Sequence, residues 1–324
     1  MTDVAASRLV LGGGGIGAVW GATSRDEAIA TVRAAVTAGI LRFDLAPLYG
    51  RDGEAERVVA AALDGAGDPE VRISTKCMLG PIAADEVADR LRDSLTGSRE
   101  RLGGRPINDF VLHGYITPDG WSGGPRADVL EHIAVSQTTF GEAVVPAMRA
   151  LVDDGSIERW GFTAAGHLDT DLAAIRDHRP DLAQIVVNAV GTNGNMRIVY
   201  EQVSADVRLG AAAEIGTETL AIRVHAAGSL TSGIDRVIDA ESPEQRDFDH
   251  ALPFRQLAAD LRQTPAALAL RYALSVPNVS AVIIGVKNRG ELEESIAAER
   301  AGPLNGEILQ ALAAIGFDAH GLAD

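Results

Sequence analysis

A single (β/α)8 TIM barrel spanning residues 1–324 is the fold this sequence predicts, and three observations point to it. Short β-rich runs alternate with longer Ala/Leu/Arg segments of helical pattern eight times, with no compositional break to divide the chain. Most runs are continuously apolar, as parallel strands buried on both faces are. Two long irregular stretches, 115–140 after the fourth run and 226–253 after the seventh, both follow strands. That is the side on which barrels build their sites, so both stretches are expected to cover a substrate.

The predicted strands are 8–12, 41–44, 71–75, 109–113, 159–163, 184–190, 219–225 and 279–285. Helices are predicted over 24–38, 53–63, 83–102, 141–153, 168–177, 196–215, 265–274, 290–298 and 305–315. The first helix opens on Ser24 with Glu27 three residues on, the spacing of a capping box, and closes on Gly39. Residues 12–17 read Gly-Gly-Gly-Gly-Ile-Gly and satisfy the G-x-G-x-x-G spacing of dinucleotide folds. That motif requires a helix to open at its last glycine, whereas residues 18–23 intervene before the cap at Ser24. The cluster is therefore read as a tight, glycine-lined first loop.

Composition bounds the function. A net charge of −16 with no basic run argues against a nucleic-acid surface. No apolar stretch approaches the roughly 18 residues of a membrane span, and the start Met1-Thr2-Asp3-Val4-Ala5-Ala6 lacks the pattern of a secretory signal. The expected location is cytoplasmic and the expected partner a small molecule. A single cysteine, Cys77, excludes an internal disulfide and a thiolate zinc site, and is read as a small buried apolar residue. His132, His167, His178, His225, His250 and His320 show no metal-ligand spacing, so no metal is expected.

Only two of the 29 basic residues are lysines, Lys76 and Lys287, so each asks why arginine would not serve there. Lys76 follows the third predicted strand; Asp44 ends the second, Tyr49 follows on its loop, and His113 ends the fourth. Consecutive parallel strands are neighbours, so the four converge on one sector of the barrel mouth. Their chemistry fits together. A phenol near pKa 10 is a poor proton donor at neutral pH, and an ammonium beside it favours the phenolate. Asp44 neutralises and orients that ammonium, and His113 can hydrogen-bond a substrate oxygen. The set suits proton transfer at a carbonyl or hydroxyl oxygen while hydride moves at the carbon.

These residues resemble the aldo-keto reductase superfamily, whose Asp, Tyr, Lys and His tetrad falls on Asp44, Tyr49, Lys76 and His113. The run Asp44-Leu45-Ala46-Pro47-Leu48-Tyr49-Gly50 is similar to the aldose 1-dehydrogenase and pyridoxal 4-dehydrogenase branch. The resemblance implies an NAD(P)-dependent oxidoreductase acting on an aldehyde, ketone or aldose-like substrate, with Tyr49 as general acid/base. It further implies a cofactor lying across the mouth against Thr163, Asn188, His225, Gly285, Lys287, Arg289, Glu294 and Ser295. Thr163-Ala164 stands where the family carries Ser-Asn, Asn188 where it carries Gln, and His225 where it carries a stacking Tyr. Glu291 takes a position often held by Arg, and Ser295 one often held by Asn. The family's habit favours NADP(H), with NAD(H) as the alternative that Glu291 raises. These departures also motivate a second reading, a cofactor-binding regulatory barrel with little turnover. Trp20, Tyr115 and Trp121, on loops after strands, are the expected aromatic wall of the substrate pocket, with Phe140 a fourth ring nearby.

Overall fold

Side chains alternate in and out along each strand of a barrel, and this sequence sorts them by chemistry. In the computed structural model, which describes residues 6–64, 70–200 and 204–322, the strands are β1 (Leu9–Gly12), β2 (Arg42–Asp44), β3 (Arg72–Cys77) and β4 (Asp109–Leu112). After them come β5 (Tyr115–Thr117), β6 (Ala134–Ser136), β7 (Arg159–Thr163), β8 (Leu182–Val186), β9 (Glu218–Ile222) and β10 (Ala281–Ile284). All but β5 and β6 close a parallel barrel in the order β1-β10-β9-β8-β7-β4-β3-β2. The predicted class is the observed one.

Outward-facing positions such as Leu11, Phe43, Phe110, Phe162, Ile185 and Ile284 join one large core beneath the helices. Each large side chain buried this way contributes about 1.5–3 kcal/mol. The alternate positions Val10, Val111, Leu182, Leu220 and Ala281 form a separate, smaller cluster that fills the barrel itself. Below it, ion pairs close the N-terminal end: Arg42 to Glu218 at 2.6 Å, Arg159 to Glu218 at 2.7 Å and Arg159 to Asp109 at 2.8 Å. The polar residues of the mouth lie above it, so one interior column runs from charged base through apolar plug to reactive top.

Several boundaries move. The sixth barrel strand, β8, begins at Leu182, and β9 ends at Ile222, so Asn188 and His225 lie beyond their strands rather than on them. The stretch 115–140 contains a small parallel sheet, β5 on β6, and a helix Ala127–Ile133. The stretch 226–253 contains a helix Pro243–His250 whose N-cap Ser242 accepts from the Gln245 amide. The cap and the following proline were visible signals, but the segment has no apolar stripe to advertise a helix. The predicted helix 196–215 begins at Ala205, preceded by a tight turn at Gly194–Met196. Its residues 201–203, like 1–5 of the chain start, lie outside the described residues.

The glycine cluster forms one helical turn, Gly13–Ile16, directly after β1, and stops; the next helix is Arg25–Thr37. Ser24 caps that helix by accepting from the Glu27 amide at 3.1 Å. The glycines admit neighbours. A Cβ on Gly13 would sit 2.9 Å from Tyr49 Cδ2, and one on Gly15 would sit 2.0 Å from the Val286 carbonyl oxygen. Gly15→Ala is accordingly expected to cost about 1–3 kcal/mol of stability through overpacking against backbone. Denaturant unfolding checks this, and an unchanged midpoint would refute the close approach.

Candidate active site

Register sets the heights of the reactive groups. Asp44 pairs with Ser74 across β2 and β3, so Lys76 points inward from one layer nearer the mouth. Its ammonium donates to Asp44 Oδ2 at 2.6 Å and to the Leu45 carbonyl at 2.8 Å. Lys76 is 1 % exposed and Asp44 2 % exposed, so this is an ion pair removed from water. Asp44 Oδ1 accepts from Gln184 Nε2 at 2.6 Å, so both carboxylate oxygens are engaged.

Tyr49 follows a turn closed by its own amide on the Ala46 carbonyl at 3.0 Å, and its ring rests beside Gly13. The Lys76 ammonium lies 4.7 Å from the ring centroid. His113, its amide held by the Cys77 carbonyl at 2.7 Å, presents its ring edge-on to Tyr49 with centroids 5.8 Å apart. The tetrad named from sequence is therefore assembled.

Electrostatics sharpen the roles. Burial pushes the Tyr49 phenol above its ordinary value, and the Lys76 charge, which pulls it down, does not prevail. The expectation that the ammonium favours phenolate describes the smaller effect here. Burial works against the charged form of Lys76, but Asp44 and Tyr49 carry its pKa upward. Burial, aided by the charge of Lys76, takes His113 down to about 3, so its imidazole is neutral throughout the working range.

Asp44, Tyr49 and His113 line a cavity of about 580 Å³ at the C-terminal mouth, with Lys76 buried behind them. Trp20, Tyr115, Thr163, His225, Gly285, Lys287, Glu294 and Ser295, all expected at the site, line it. Trp20 lies over the glycine loop, where a Cβ on Gly14 would meet its Nε1, and the Arg236 guanidinium sits 5.6 Å from its ring centroid. His225 is tied by Nε2 to the Ala266 carbonyl at 3.2 Å.

Four expected residues are placed elsewhere. Asn188 spends its side chain on its own loop, donating to the Thr192 carbonyl and accepting from the Gly191 amide. Arg289 turns away from the cavity to pair with Glu27 at 3.0 Å. Trp121 packs on His167 and borders a separate rim cavity of about 450 Å³. Phe140 is buried against Phe162 in the core. Gln184, Arg223, Asp235 and Arg236 line the cavity without having been anticipated. Gln184 carried a signal, a lone amide inside an apolar strand, but a strand drawn from 184 placed it at an end.

The lining fits a dinucleotide in one respect that the chain leaves open. Thr163 Oγ1 is buried at the cavity wall with no hydrogen-bond partner, a group suited to a carboxamide. Among the described residues, no three His, Cys, Asp or Glu side chains are grouped to hold a metal. No helix among them is long and apolar enough to cross a membrane.

The Aldo/keto reductase family model matches residues 8–316, and the chain belongs to that family. It is similar to the L-galactose dehydrogenase of Arabidopsis thaliana, 26% identical over 299 residues, 92% of this chain and 85% of that one. It is also similar to Aldo-keto reductase YhdN of Bacillus subtilis (strain 168), 40% identical over 80 residues, 24% of each chain. The glycerol dehydrogenase AKR11B4 of Gluconobacter oxydans has the same fold, with a TM-score of 0.68 at 20% identity over 99% of this chain and 94% of that structure. As a member of that family, the protein is an NAD(P)-dependent oxidoreductase of carbonyl or alcohol substrates.

Proposed function

We propose that this enzyme interconverts a polyhydroxylated or aldose-like alcohol and its carbonyl form, with Tyr49 moving the proton at the substrate oxygen. The observation that carries this reading is the buried Lys76–Asp44 pair at 2.6 Å, with its ammonium 4.7 Å from the Tyr49 ring. A nicotinamide dinucleotide, when bound, supplies or accepts the hydride. Tyr49 donates its phenolic proton in reduction and, as phenolate, removes the hydroxyl proton in oxidation. Lys76 stabilises the phenolate left after donation. Asp44 and Gln184 hold that ammonium in place. His113, neutral, carries one N–H and orients the carbonyl oxygen without competing for the proton. Thr163, Lys287, His225 and the carboxylates of the 285–295 segment would hold the dinucleotide. L-galactose and glycerol, the compounds in the relatives' names, head the substrate panel.

The pH profile tests the assignment. The donating form of Tyr49 persists below a phenol pKa that burial has raised. Reduction is therefore expected to be flat through neutral pH and to fall only in the alkaline range, while oxidation rises with pH as phenolate grows. With His113 at about 3, neither profile should inflect near the ordinary histidine value. An inflection between pH 6 and 7 that disappears in His113→Gln would overturn these roles.

A further inference from the structure

A helix N-terminus flanked by cations is a ready phosphate site, and the segment entering the helix Arg289–Ala301 has that outline. The structure has already filled it with the chain's own acceptors. Glu27 accepts from the Arg289 amide at 3.0 Å, and from its Nε and Nη2 at 3.1 and 3.0 Å. Asn288 Oδ1 accepts from the Glu291 amide at 3.0 Å, and Glu291 Oε2 accepts from the Lys287 amide at 2.9 Å. The Lys287 ammonium lies between two carboxylates, 2.6 Å from Glu291 Oε1 and 3.1 Å from Asp235 Oδ2. Ser295 returns its hydroxyl to the Glu291 carbonyl at 2.9 Å.

Counting charge at this end of the cavity gives the outcome. Glu291, Glu294 and Asp235 line it against Lys287, and Arg289 is spent outside it. The other cations in the lining are engaged away from Lys287: Arg236 donates to the Ala227 carbonyl at 2.8 Å and faces Trp20, and Arg223 donates to Asn195 Oδ1 at 2.6 Å. A ribose offers hydroxyl donors, which carboxylates accept; a 2′-phosphate adds about two negative charges where acceptors already crowd.

From this we infer that the enzyme is built for NAD(H), with Glu291 and its partner Asp235 as the specificity-determining residues that exclude the 2′-phosphate of NADP(H). The family's habit is thereby reversed in this chain. The inference rests on the nicotinamide reading above and adds which dinucleotide fills it. Glu291 does this with both oxygens: one pairs with the Lys287 ammonium, the other accepts from the Lys287 amide at the turn, so the carboxylate is fixed where it repels.

Titration of intrinsic tryptophan fluorescence with NADH and NADPH is the test, since Trp20 lines the cavity. The parent chain is expected to bind NADH at least about 100-fold tighter than NADPH, as like charges juxtaposed at an interface cost several kcal/mol. Glu291→Gln keeps a carbonyl acceptor for the Lys287 amide while removing the charge. It is expected to narrow the ratio about tenfold or more, chiefly by strengthening NADPH. Should that variant fold poorly, Asp235→Asn, on a side chain 56% exposed, is expected to move the ratio in the same direction. NADPH binding as tightly as NADH to the parent, or a ratio unmoved in both variants, overturns the inference and leaves the nicotinamide reading standing. Failure of the parent to bind either dinucleotide overturns both.

Discussion

Tyr49→Phe is expected to lower turnover about 100- to 10,000-fold, the range for losing one positioned proton donor, while leaving dinucleotide affinity within about twofold of the parent. The substitution removes one oxygen and keeps the ring that packs on Gly13 and faces His113 edge-on. Packing, the Lys76–Asp44 pair and the cavity walls are thus retained. A loss confined to turnover would then report on the proton alone. Single-turnover rates and fluorescence titration on the same preparation separate the two quantities, and near-parental turnover would remove Tyr49 from the chemistry.

Lys76 carries the second large effect. Lys76→Met leaves the Asp44 carboxylate buried with Gln184 as its remaining side-chain partner. Breaking a buried pair in this way costs about 3–5 kcal/mol. Lys76→Arg keeps the charge but asks a planar fork to occupy a site shaped for an ammonium with acceptors at 2.6 and 2.8 Å. Overpacking there is expected to cost about 1–3 kcal/mol, and turnover should fall as the cation is displaced from the phenol. Urea unfolding and steady-state kinetics measure the two. Parental kinetics in Lys76→Arg would show that any nearby cation suffices.

The barrel was legible because its outward faces bury against helices and its plug is also apolar, which yields unbroken β-rich runs. The tetrad was legible because each member ends a strand or follows one, and neighbouring strands bring such ends together. What the sequence concealed has a common cause. Arg42, Asp109, Arg159 and Glu218 meet only when the barrel closes, since they come from four strands far apart in the chain. Gln184 is recognisable as a brace for Asp44 only across 140 residues of separation. Lys287 and Arg289 look equivalent in sequence, yet one faces the cavity and the other Glu27, a partner 262 residues away. Residue type indicated what each group can do; closure decided which partner it does it with.

The scarcity of lysine gives this enzyme a built-in strain gauge. A lysine-specific protease has two bonds to find, after Lys76 and after Lys287. The first lies within a strand hydrogen-bonded on both sides and can be cut only when the barrel opens, so its cleavage rate reads the global unfolding equilibrium. The second lies on the turn before a helix, where local opening is enough, and a bound dinucleotide should slow it first. One digestion, followed by fragment size, therefore reports the integrity of the fold and the occupancy of its mouth at once.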